Sequence, residues 1–412
     1  MKIEASECAK LAEYTALTTR VGVVDLSSRT RVCLVGADRN RFLNGQVTNN
    51  VKALHPWTGC YAALVNAKAK LETDLNILCL PDELLLDCEP GLAQTLITRF
   101  DRFIIADDVQ TLDAAPHFAL FSLRGPLAAD VAARYFPDAA PNLPDKEYAC
   151  LSASLPLLPV DLPVPLTRAL ASATSTSASG PETTTSTATA TTSPSPSPDP
   201  DASDATPPQA SQVYLARVPR FGLPGLDVFV PVAHQERVWN DLLRIAVSCG
   251  GSAVGFAATE LARLEAGIPR FGADMDGTNL APEAGIEGRA ISYSKGCYIG
   301  QEIISRLRAY GQVAKRLSGL VLPDGLNSDS DSLPPRGAKL FYGQGSERKE
   351  VGFVTTAFRS PKFGKNLALA YVRKEVPADA SLSLQLELEG GAMTVRRTSL
   401  PFGNPLPAVG VS

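Results

Sequence analysis

The chain of 412 residues is poor in several features that define large classes of protein. It has three histidines, so it offers few nitrogen ligands for a metal site that it would complete alone. Its eight cysteines form no CxxC pair and no zinc-ligand spacing, which favours free thiols in a reducing compartment. No run of 18 apolar residues predicts a transmembrane helix. The net charge of −4 lacks the basic excess of a nucleic-acid binder.

The N-terminus also lacks a targeting pattern. Its first ten residues contain no apolar signal core, and Glu4, Glu7 and Glu13 make it too acidic for an organelle presequence. We therefore expect the chain to begin directly on its first domain. We also expect a cytoplasmic protein with neither a membrane nor a nucleic acid as its partner.

A long internal segment is poor in aromatic residues. None occurs between Tyr148 and Tyr214, and from about residue 169 to 212 the chain consists mainly of Ser, Thr, Ala and Pro. Such a composition buries too little apolar surface to offset the entropy of the chain. The sequence predicts a disordered insert at about residues 166–212.

What remains is 45% hydrophobic and alternates helical with strand patterns, which indicates an α+β protein. We assign residues 1–115 to a first α+β lobe. Residues 116–315 form a second α+β lobe that the insert interrupts. Residues 316–403 carry six short strand patterns and no helical one, which predicts a small C-terminal β-barrel.

One octapeptide, KGCYIGQE at residues 295–302, is hard to explain by folding alone. A helix is predicted from Ile299 to Arg308, so Cys297 precedes a helix N-terminus and follows Lys295. Both the helix dipole and an ammonium group lower the pKa of a thiol and favour nucleophilic attack or metal ligation. The alternative is that Cys297 is a small buried hydrophobe.

The octapeptide resembles the signature of the YgfZ-type proteins, folate-binding relatives of the glycine-cleavage aminomethyltransferase that assist iron–sulfur proteins. Its residues other than the cysteine are Lys295, Gly296, Tyr298, Ile299, Gly300, Gln301 and Glu302. Residues 21–27, 42–49, 263–274 and 282–285 also resemble segments of that family or of the aminomethyltransferases. The resemblance covers about residues 10–150 and 213–402. It implies an aminomethyltransferase-like cloverleaf of three lobes around a central channel.

The resemblance also implies a bound tetrahydrofolate. Asp74 matches an aspartate that contacts the reduced folate in aminomethyltransferases, although an aspartate at this place could equally cap a turn. Arg263 and Glu265 lie in a matching segment, and an arginine suits the carboxylates of a folate tail. The structural alternative for either residue is a salt bridge between lobes.

The resemblance fails at one segment. Aminomethyltransferases carry a glutamate there that helps to hold the pterin, whereas residues 220–228 are about two residues shorter and contain no glutamate. The set of residues that hold the pterin ring for methylene transfer is therefore incomplete.

These residues predict an accessory protein for the assembly or maintenance of iron–sulfur clusters, acting through Cys297. Its expected partners are iron–sulfur carrier proteins or client enzymes. The thiolate would either be a transient ligand of a cluster shared with a partner or handle sulfur and redox chemistry. The alternative function is a folate-dependent aminomethyl or one-carbon transferase.

Overall fold

The fold is described from a computed structural model, which describes residues 2–156, 211–311, 313–324, 333–343, 345–377, 384–388, 391–403 and 406. The predicted insert at 166–212 lies outside these residues, apart from its last two positions.

The helices are α1 (Lys2–Thr19), α2 (Arg39–Gln46), α3 (Ala93–Asp101), α4 (Ala128–Tyr135), α5 (Gln235–Ser248), α6 (Phe256–Glu265), α7 (Glu287–Ala290) and α8 (Gln301–Tyr310). The strands are β1 (Gly22–Asp25), β2 (Thr30–Val35), β3 (Thr58–Val65), β4 (Leu71–Cys79), β5 (Glu83–Cys88), β6 (Gln110–Asp113), β7 (Phe118–Arg124), β8 (Cys150–Ser154), β9 (Gln212–Ala216), β10 (Gly225–Pro231), β11 (Ser252–Ala253), β12 (Lys315–Val321), β13 (Lys339–Tyr342), β14 (Lys349–Ser360), β15 (Lys365–Arg373), β16 (Leu384–Leu388), β17 (Gly391–Thr394) and β18 (Arg396–Thr398). Short 3₁₀ turns occupy Val51–Ala53, Ala140–Asn142, Val232–His234 and Gly345–Glu347.

The first lobe is a five-stranded antiparallel sheet in the order β3-β4-β5-β2-β6. Successive side chains of a strand point to opposite faces, and both faces of this sheet are covered. Ala62 and Leu64 of β3 pack into a core with α2 and α3, while Tyr61, Ala63 and Val65 face a second core shared with the rest of the protein. The second face is the one that carries the candidate folate site.

The second lobe is a six-stranded sheet in the order β11-β1-β7-β10-β9-β8. The expected boundary of the first lobe at residue 1 is wrong, because β1 pairs antiparallel with β7 and parallel with β11 of this sheet. Helix α1 also packs against α6, with Leu17 in their shared core. The first 25 residues therefore belong with the second lobe, whereas the first lobe spans residues 30–113.

The C-terminal domain is a seven-stranded antiparallel sheet in the order β17-β16-β13-β14-β15-β12-β18. Strands β17 and β18 lie at opposite ends of this order, yet only Val395 separates them in the chain. The sheet must therefore curl until its two edges approach, which agrees with the predicted barrel. Val395 is fully buried in the barrel core.

Candidate functional site

Asp74 lies in the middle of β4, on the face of the first sheet that points away from α2 and α3. It is opposite Ala63 of β3, and the neighbouring pair is Tyr61 and Asn76. The Tyr61 hydroxyl donates a hydrogen bond of 2.7 Å to Oδ2 of Asp74. Oδ1 is buried and has no hydrogen-bond partner among the described residues. Burial raises the pKa of Asp74.

An unpartnered buried carboxylate oxygen is a position where a ligand group is expected, because native proteins pair nearly all such atoms. A carboxyl group with a raised pKa can exchange a proton closer to neutral pH than an exposed aspartate can. Asp74 therefore fits the nitrogen-rich ring of a reduced folate, which offers hydrogen-bond donors. The alternative of a turn aspartate is wrong, because Asp74 lies within a strand.

Three further polar residues surround Asp74. The Tyr148 hydroxyl donates a 2.9 Å hydrogen bond to Oδ1 of Asn76. The guanidinium carbon of Arg289 lies 5.0 Å from the ring centroid of Tyr61, a cation–π contact. Sequence reasoning missed Tyr61, Asn76, Tyr148 and Arg289. The alternating strand pattern of β3, paired with that of β4 as a hairpin, could have indicated Tyr61.

Of the residues in this cluster, Arg289 lines two neighbouring cavities. One, of about 430 Å³, is lined by residues 217–220 and 222–225, with Arg124, Asp145 and Glu147. The other, of about 550 Å³, lies between the end of α6, residues 284–289 and the barrel. Both are lined by Ile268 and Arg289. Their linings come from the second lobe and the barrel, and Arg289 connects both with Tyr61 of the first lobe. The central channel that the family resemblance implies stays a prediction.

A buried ion-pair network lies beside Asp74. Asp87 of β5 binds Arg29 at 2.8 Å and Arg220 at 2.8 Å, and Asn76 donates to it at 2.9 Å. Arg220 also binds Asp227, which pairs with Arg124. The network connects the sheets of the two lobes and fixes the segment 220–228.

Residues 220–228, which depart from the aminomethyltransferase pattern, thus have both of their charged side chains in ion pairs within the protein. Arg220 is committed to Asp87 and Asp227, and Asp227 is fully buried between two arginines. No carboxylate from this segment replaces the missing glutamate at the Asp74 cluster. A ligand ring would be held here by Asp74 and its neighbours instead.

Arg263 and Glu265 find protein partners. All three guanidinium nitrogens of Arg263 donate within the protein, to Glu260, Asp274 and the carbonyl of Ile268. Asp274 in turn accepts hydrogen bonds from the barrel through Thr355 and Thr356. Arg263 therefore forms salt bridges, as its structural alternative predicts, but both partners belong to the second lobe, and the contact reaches the barrel only through the hydrogen bonds of Asp274. Folate contact through Arg263 stays a prediction, and we do not include it in the proposed ligand site.

Glu265 is similarly engaged. Its carboxylate accepts hydrogen bonds from the hydroxyls of Tyr14 and Ser360 and, at 3.0 Å, from the backbone N–H of Lys362. These contacts join α6 to α1 and to the barrel. Folate contact through Glu265 also stays a prediction outside the proposed site.

The octapeptide forms a loop that is fastened to the first lobe by Lys295. The buried Lys295 ammonium donates to the backbone carbonyls of Asn44 at 2.6 Å, Val47 at 2.7 Å and Asn49 at 2.6 Å. Burial lowers the pKa of Lys295 to about 8. The ammonium therefore anchors the loop, and the predicted effect of its charge on the Cys297 thiol stays a prediction.

Other residues of the motif also hold the loop in place. Tyr298 is buried, and its ring centroid lies 5.0 Å from the Lys295 ammonium. Gly300 has φ +82°, and a Cβ there would lie 2.7 Å from the carbonyl oxygen of Asn66, so only glycine fits. Helix α8 begins after Gly300, two residues later than predicted.

Cys297 itself is exposed, so the alternative of a buried hydrophobe is wrong. Three other residues of the motif, Gly296, Gln301 and Glu302, are partly or fully exposed. Gly296 has no neighbour that a Cβ would meet, Gln301 is half-buried, and Glu302 forms an exposed ion pair of 2.8 Å with Arg306. After the motif, the guanidinium carbon of Arg308 lies 3.9 Å from the ring centroid of Tyr293. The motif thus presents one exposed thiol on an anchored loop.

All eight cysteines are free, and the described residues contain no group of three or more His, Cys, Asp or Glu side chains placed to hold a metal ion. Among the same residues, no helix is both long and apolar enough to cross a membrane.

Comparisons with known proteins agree with this architecture. Sequence models of the GCVT N-terminal domain and of the glycine cleavage T-protein C-terminal barrel domain match residues 4–151 and 315–403. An aminomethyltransferase of Cutibacterium acnes is 24% identical over 403 residues, which are 95% of this chain and 90% of that protein. An aminomethyltransferase of Desulfitobacterium hafniense is 30% identical over 184 residues, which are 44% of this chain and 46% of that protein.

The fold is similar to that of the glycine cleavage system aminomethyltransferase T from Bartonella henselae. The TM-score is 0.69 at 20% identity, over 96% of this chain and 90% of that one. The predicted aminomethyltransferase-like fold is therefore confirmed. With both the N-terminal and the barrel domain matched, the chain belongs to the GCVT family of aminomethyltransferase-related proteins.

Proposed function

We propose that this protein binds a reduced folate between its lobes and acts as a folate-dependent one-carbon transferase of the aminomethyl type. The observation that carries the proposal is Oδ1 of Asp74, a buried carboxylate oxygen without a partner among the described residues. The Tyr61 that holds its other oxygen contacts Arg289, which lines both cavities. The names of the relatives, which are aminomethyltransferases, support this function better than the iron–sulfur role.

The proposed roles follow from the contacts. Tyr61 holds Oδ2, so Asp74 cannot rotate freely and presents Oδ1 to the ligand. The raised pKa lets Asp74 give or take a proton at a ring nitrogen without leaving its position. The folate, when bound, supplies the nitrogen atoms that carry the one-carbon unit.

Titration calorimetry with tetrahydrofolate tests the binding step on wild type, Asp74→Asn and the control Asp82→Asn. Asp82 is exposed in the turn between β4 and β5, so its substitution makes the same change of charge in the same lobe. We expect the wild type and the control to bind equally and Asp74→Asn to bind about 10-fold or more weakly. No heat from the wild type at millimolar tetrahydrofolate, or equal affinity in Asp74→Asn, would refute the proposal.

A second candidate function is favoured by a different observation, the exposed thiol of Cys297 on a loop anchored by Lys295. In this candidate the protein is a YgfZ-type accessory factor for iron–sulfur clusters. One thiolate cannot supply the four protein ligands that a cluster normally takes. Cys297 would therefore share the cluster, as cargo, with cysteines of a carrier protein or client enzyme.

The two candidate functions predict different results in two assays: the activity of 4Fe–4S enzymes in cells and the formation of methylenetetrahydrofolate by the purified protein. The strains lack the native protein and express wild type, Cys297→Ala, Asp74→Asn or the control Cys8→Ala, which removes another exposed cysteine. If the accessory function holds, the activity of 4Fe–4S enzymes falls with Cys297→Ala but not with Cys8→Ala. If the transferase function holds, formation of methylenetetrahydrofolate by the purified protein survives loss of Cys297 and needs Asp74. Full recovery of 4Fe–4S enzymes with Cys297→Ala would refute the accessory role.

A further inference from the structure

The cavity of about 550 Å³ between α6 and the barrel has an unusual charge pattern. Its lining includes Arg289, Arg316 and Arg397 and not one aspartate or glutamate. Several of its other lining groups are hydroxyls, from Ser318, Thr398 and Ser399. The lining therefore offers many hydrogen-bond donors around a net positive charge.

The arginines of this cavity differ from the other arginines at the centre of the fold. Arg124, Arg220 and Arg263 each contact a carboxylate within 3 Å. Among the residues that the structure describes, no carboxylate lies within 4 Å of the guanidinium nitrogens of Arg289 or Arg316. Arg397 is likewise without an ionic partner there.

Arg397 is held in place by neutral groups. Its Nε donates to the Ser318 hydroxyl at 3.1 Å and one terminal nitrogen donates to the carbonyl of Val376 at 2.9 Å. The Ser318 hydroxyl in turn donates to the carbonyl of Arg316 at 3.3 Å. Burial lowers the pKa of Arg397, and the positive charge of Arg316 lowers it further. The fold thus keeps two like charges near each other at an electrostatic cost that a bound anion would remove.

We propose that this cavity is a binding site for a polyanion, a ligand with several carboxylates or phosphates spaced along a chain. A guanidinium group forms two parallel hydrogen bonds with a carboxylate or a phosphate, so three arginines suit a ligand with more than one such group. The cavity itself does not depend on folate binding.

The position of Arg289 connects this cavity with Asp74. Arg289 also lines the neighbouring cavity and stacks on Tyr61, whose hydroxyl binds Asp74. The polyanion has two possible sources: the oligoglutamate tail of a folate held at Asp74, or a separate small polyanion. The first source rests on the proposed folate-binding function, and the second does not.

Calorimetry on the full chain tests the site with tripolyphosphate and with the mono- and triglutamate forms of tetrahydrofolate. Arg316→Gln is the main variant, because Arg316 is exposed and its side chain has no described hydrogen bond to lose. Arg397→Lys keeps the charge but removes the fork of donors. Lys349→Gln is the control, since it removes one exposed charge from the barrel outside the cavity.

We expect tripolyphosphate to bind wild type and Lys349→Gln alike and Arg316→Gln about 10-fold more weakly, with Arg397→Lys between them. No binding to the wild type at millimolar concentration, or equal weakening by Lys349→Gln, would refute the anion site.

The two folates distinguish the sources. A preference of about 10-fold for the triglutamate that Arg316→Gln abolishes would support the folate tail. Binding of tripolyphosphate without any such preference would support a separate polyanion. If tripolyphosphate binds while neither folate does, the anion site stands and the folate-binding proposal fails. If the folates bind while tripolyphosphate does not, the anion site alone is rejected.

Discussion

Two aspartates of the first lobe lie close together and have opposite surroundings. Asp87 accepts hydrogen bonds from Arg29, Arg220 and Asn76, whereas Asp74 accepts one from Tyr61 and has a free oxygen. Burial acts to raise both pKa values. At Asp87 the charges of Arg220 and Arg29 outweigh burial and hold the pKa well below its usual range, while at Asp74 burial prevails and the pKa is raised.

The difference separates a structural carboxylate from a candidate ligand-binding one. A carboxylate whose oxygens are all occupied by arginines stabilises the contact between lobes and has nothing left for a ligand. A carboxylate with one neutral partner and one free oxygen is poorly stabilised as an anion and is open to a ligand. The two aspartates should therefore respond in opposite ways when they are replaced.

Replacing Asp87 should have the largest effect on stability. Asp87→Ala leaves the charges of Arg29 and Arg220 without this partner in the interior, which we expect to cost about 3–5 kcal/mol of unfolding free energy. Urea denaturation followed by circular dichroism measures the loss. Asp82→Ala in the exposed turn should change stability by about 0.5 kcal/mol or less. A cost near zero for Asp87→Ala would mean that the two aspartates do not differ as described.

Replacing Lys295 tests whether the octapeptide loop depends on its buried ammonium. Lys295→Met keeps the length of the side chain but leaves three carbonyls without their donor, and we expect a loss of about 2–3 kcal/mol. The rate at which iodoacetamide alkylates Cys297 should also change, because the loop loses its anchor. Lys68→Met, at an exposed position of the first lobe, should leave both measurements unchanged. An unchanged alkylation rate in Lys295→Met would contradict the anchoring role.

The pH dependence of stability sharpens the comparison at Asp74. The pKa of Asp74 is raised on folding, so between pH 3.8 and the folded pKa the folded state binds more protons than the unfolded state. The free energy of unfolding therefore falls as pH rises through this range. Asp74→Asn removes this penalty. Its stability relative to wild type should therefore increase as pH rises from below 3.8 and then level off above the folded pKa. Urea midpoints between pH 3 and 8 measure the difference, and a stability of Asp74→Asn relative to wild type that falls as pH rises would contradict the raised pKa.

The smallest effect is expected from the Ser/Thr/Ala/Pro-rich segment. Strands β8 and β9 on either side of it pair antiparallel, with Ser154 opposite Gln212, so a short Gly/Ser linker can join them. Loop entropy varies slowly with length, and replacing residues 169–210 should shift the melting temperature by less than about 5 °C. Ser211 is kept because it bonds to His234 and Leu155. A larger fall would show that the segment contributes to folding.

Local patterns predicted much of the fold. Strands β2, β5, β7, β10 and β13 lie within about two residues of the strand patterns at 31–35, 83–87, 118–123, 226–231 and 339–342. Helices α3 to α6 lie equally close to the helical patterns at 91–100, 127–135, 235–249 and 257–266. The place of β1 could not be predicted in this way, since its partners β7 and β11 are about 100 and 230 residues distant in the chain. Pairing across such distances leaves no local signal.

The candidate site was predicted only in part for a similar reason. Asp74 and Cys297 were found through motif resemblance, whereas Tyr61 and Arg289 enter the site through a hairpin and a lobe contact that no motif marks. Arg263 shows what a motif resemblance leaves out. Its segment resembles a functional region, but Glu260 and Asp274 occupy its side chain.

The position of β1 has a consequence for folding during synthesis. The sheet of the first lobe is formed entirely by residues 30–113, so it can close as soon as these residues leave the ribosome. Strand β1 is made earlier but cannot complete its sheet until β11, at Ser252–Ala253, has emerged. At about 5–20 residues per second, α1 and β1 wait on the order of ten seconds or more for this partner. Residues 2–25 are thus synthesised before the first lobe but complete their packing after it.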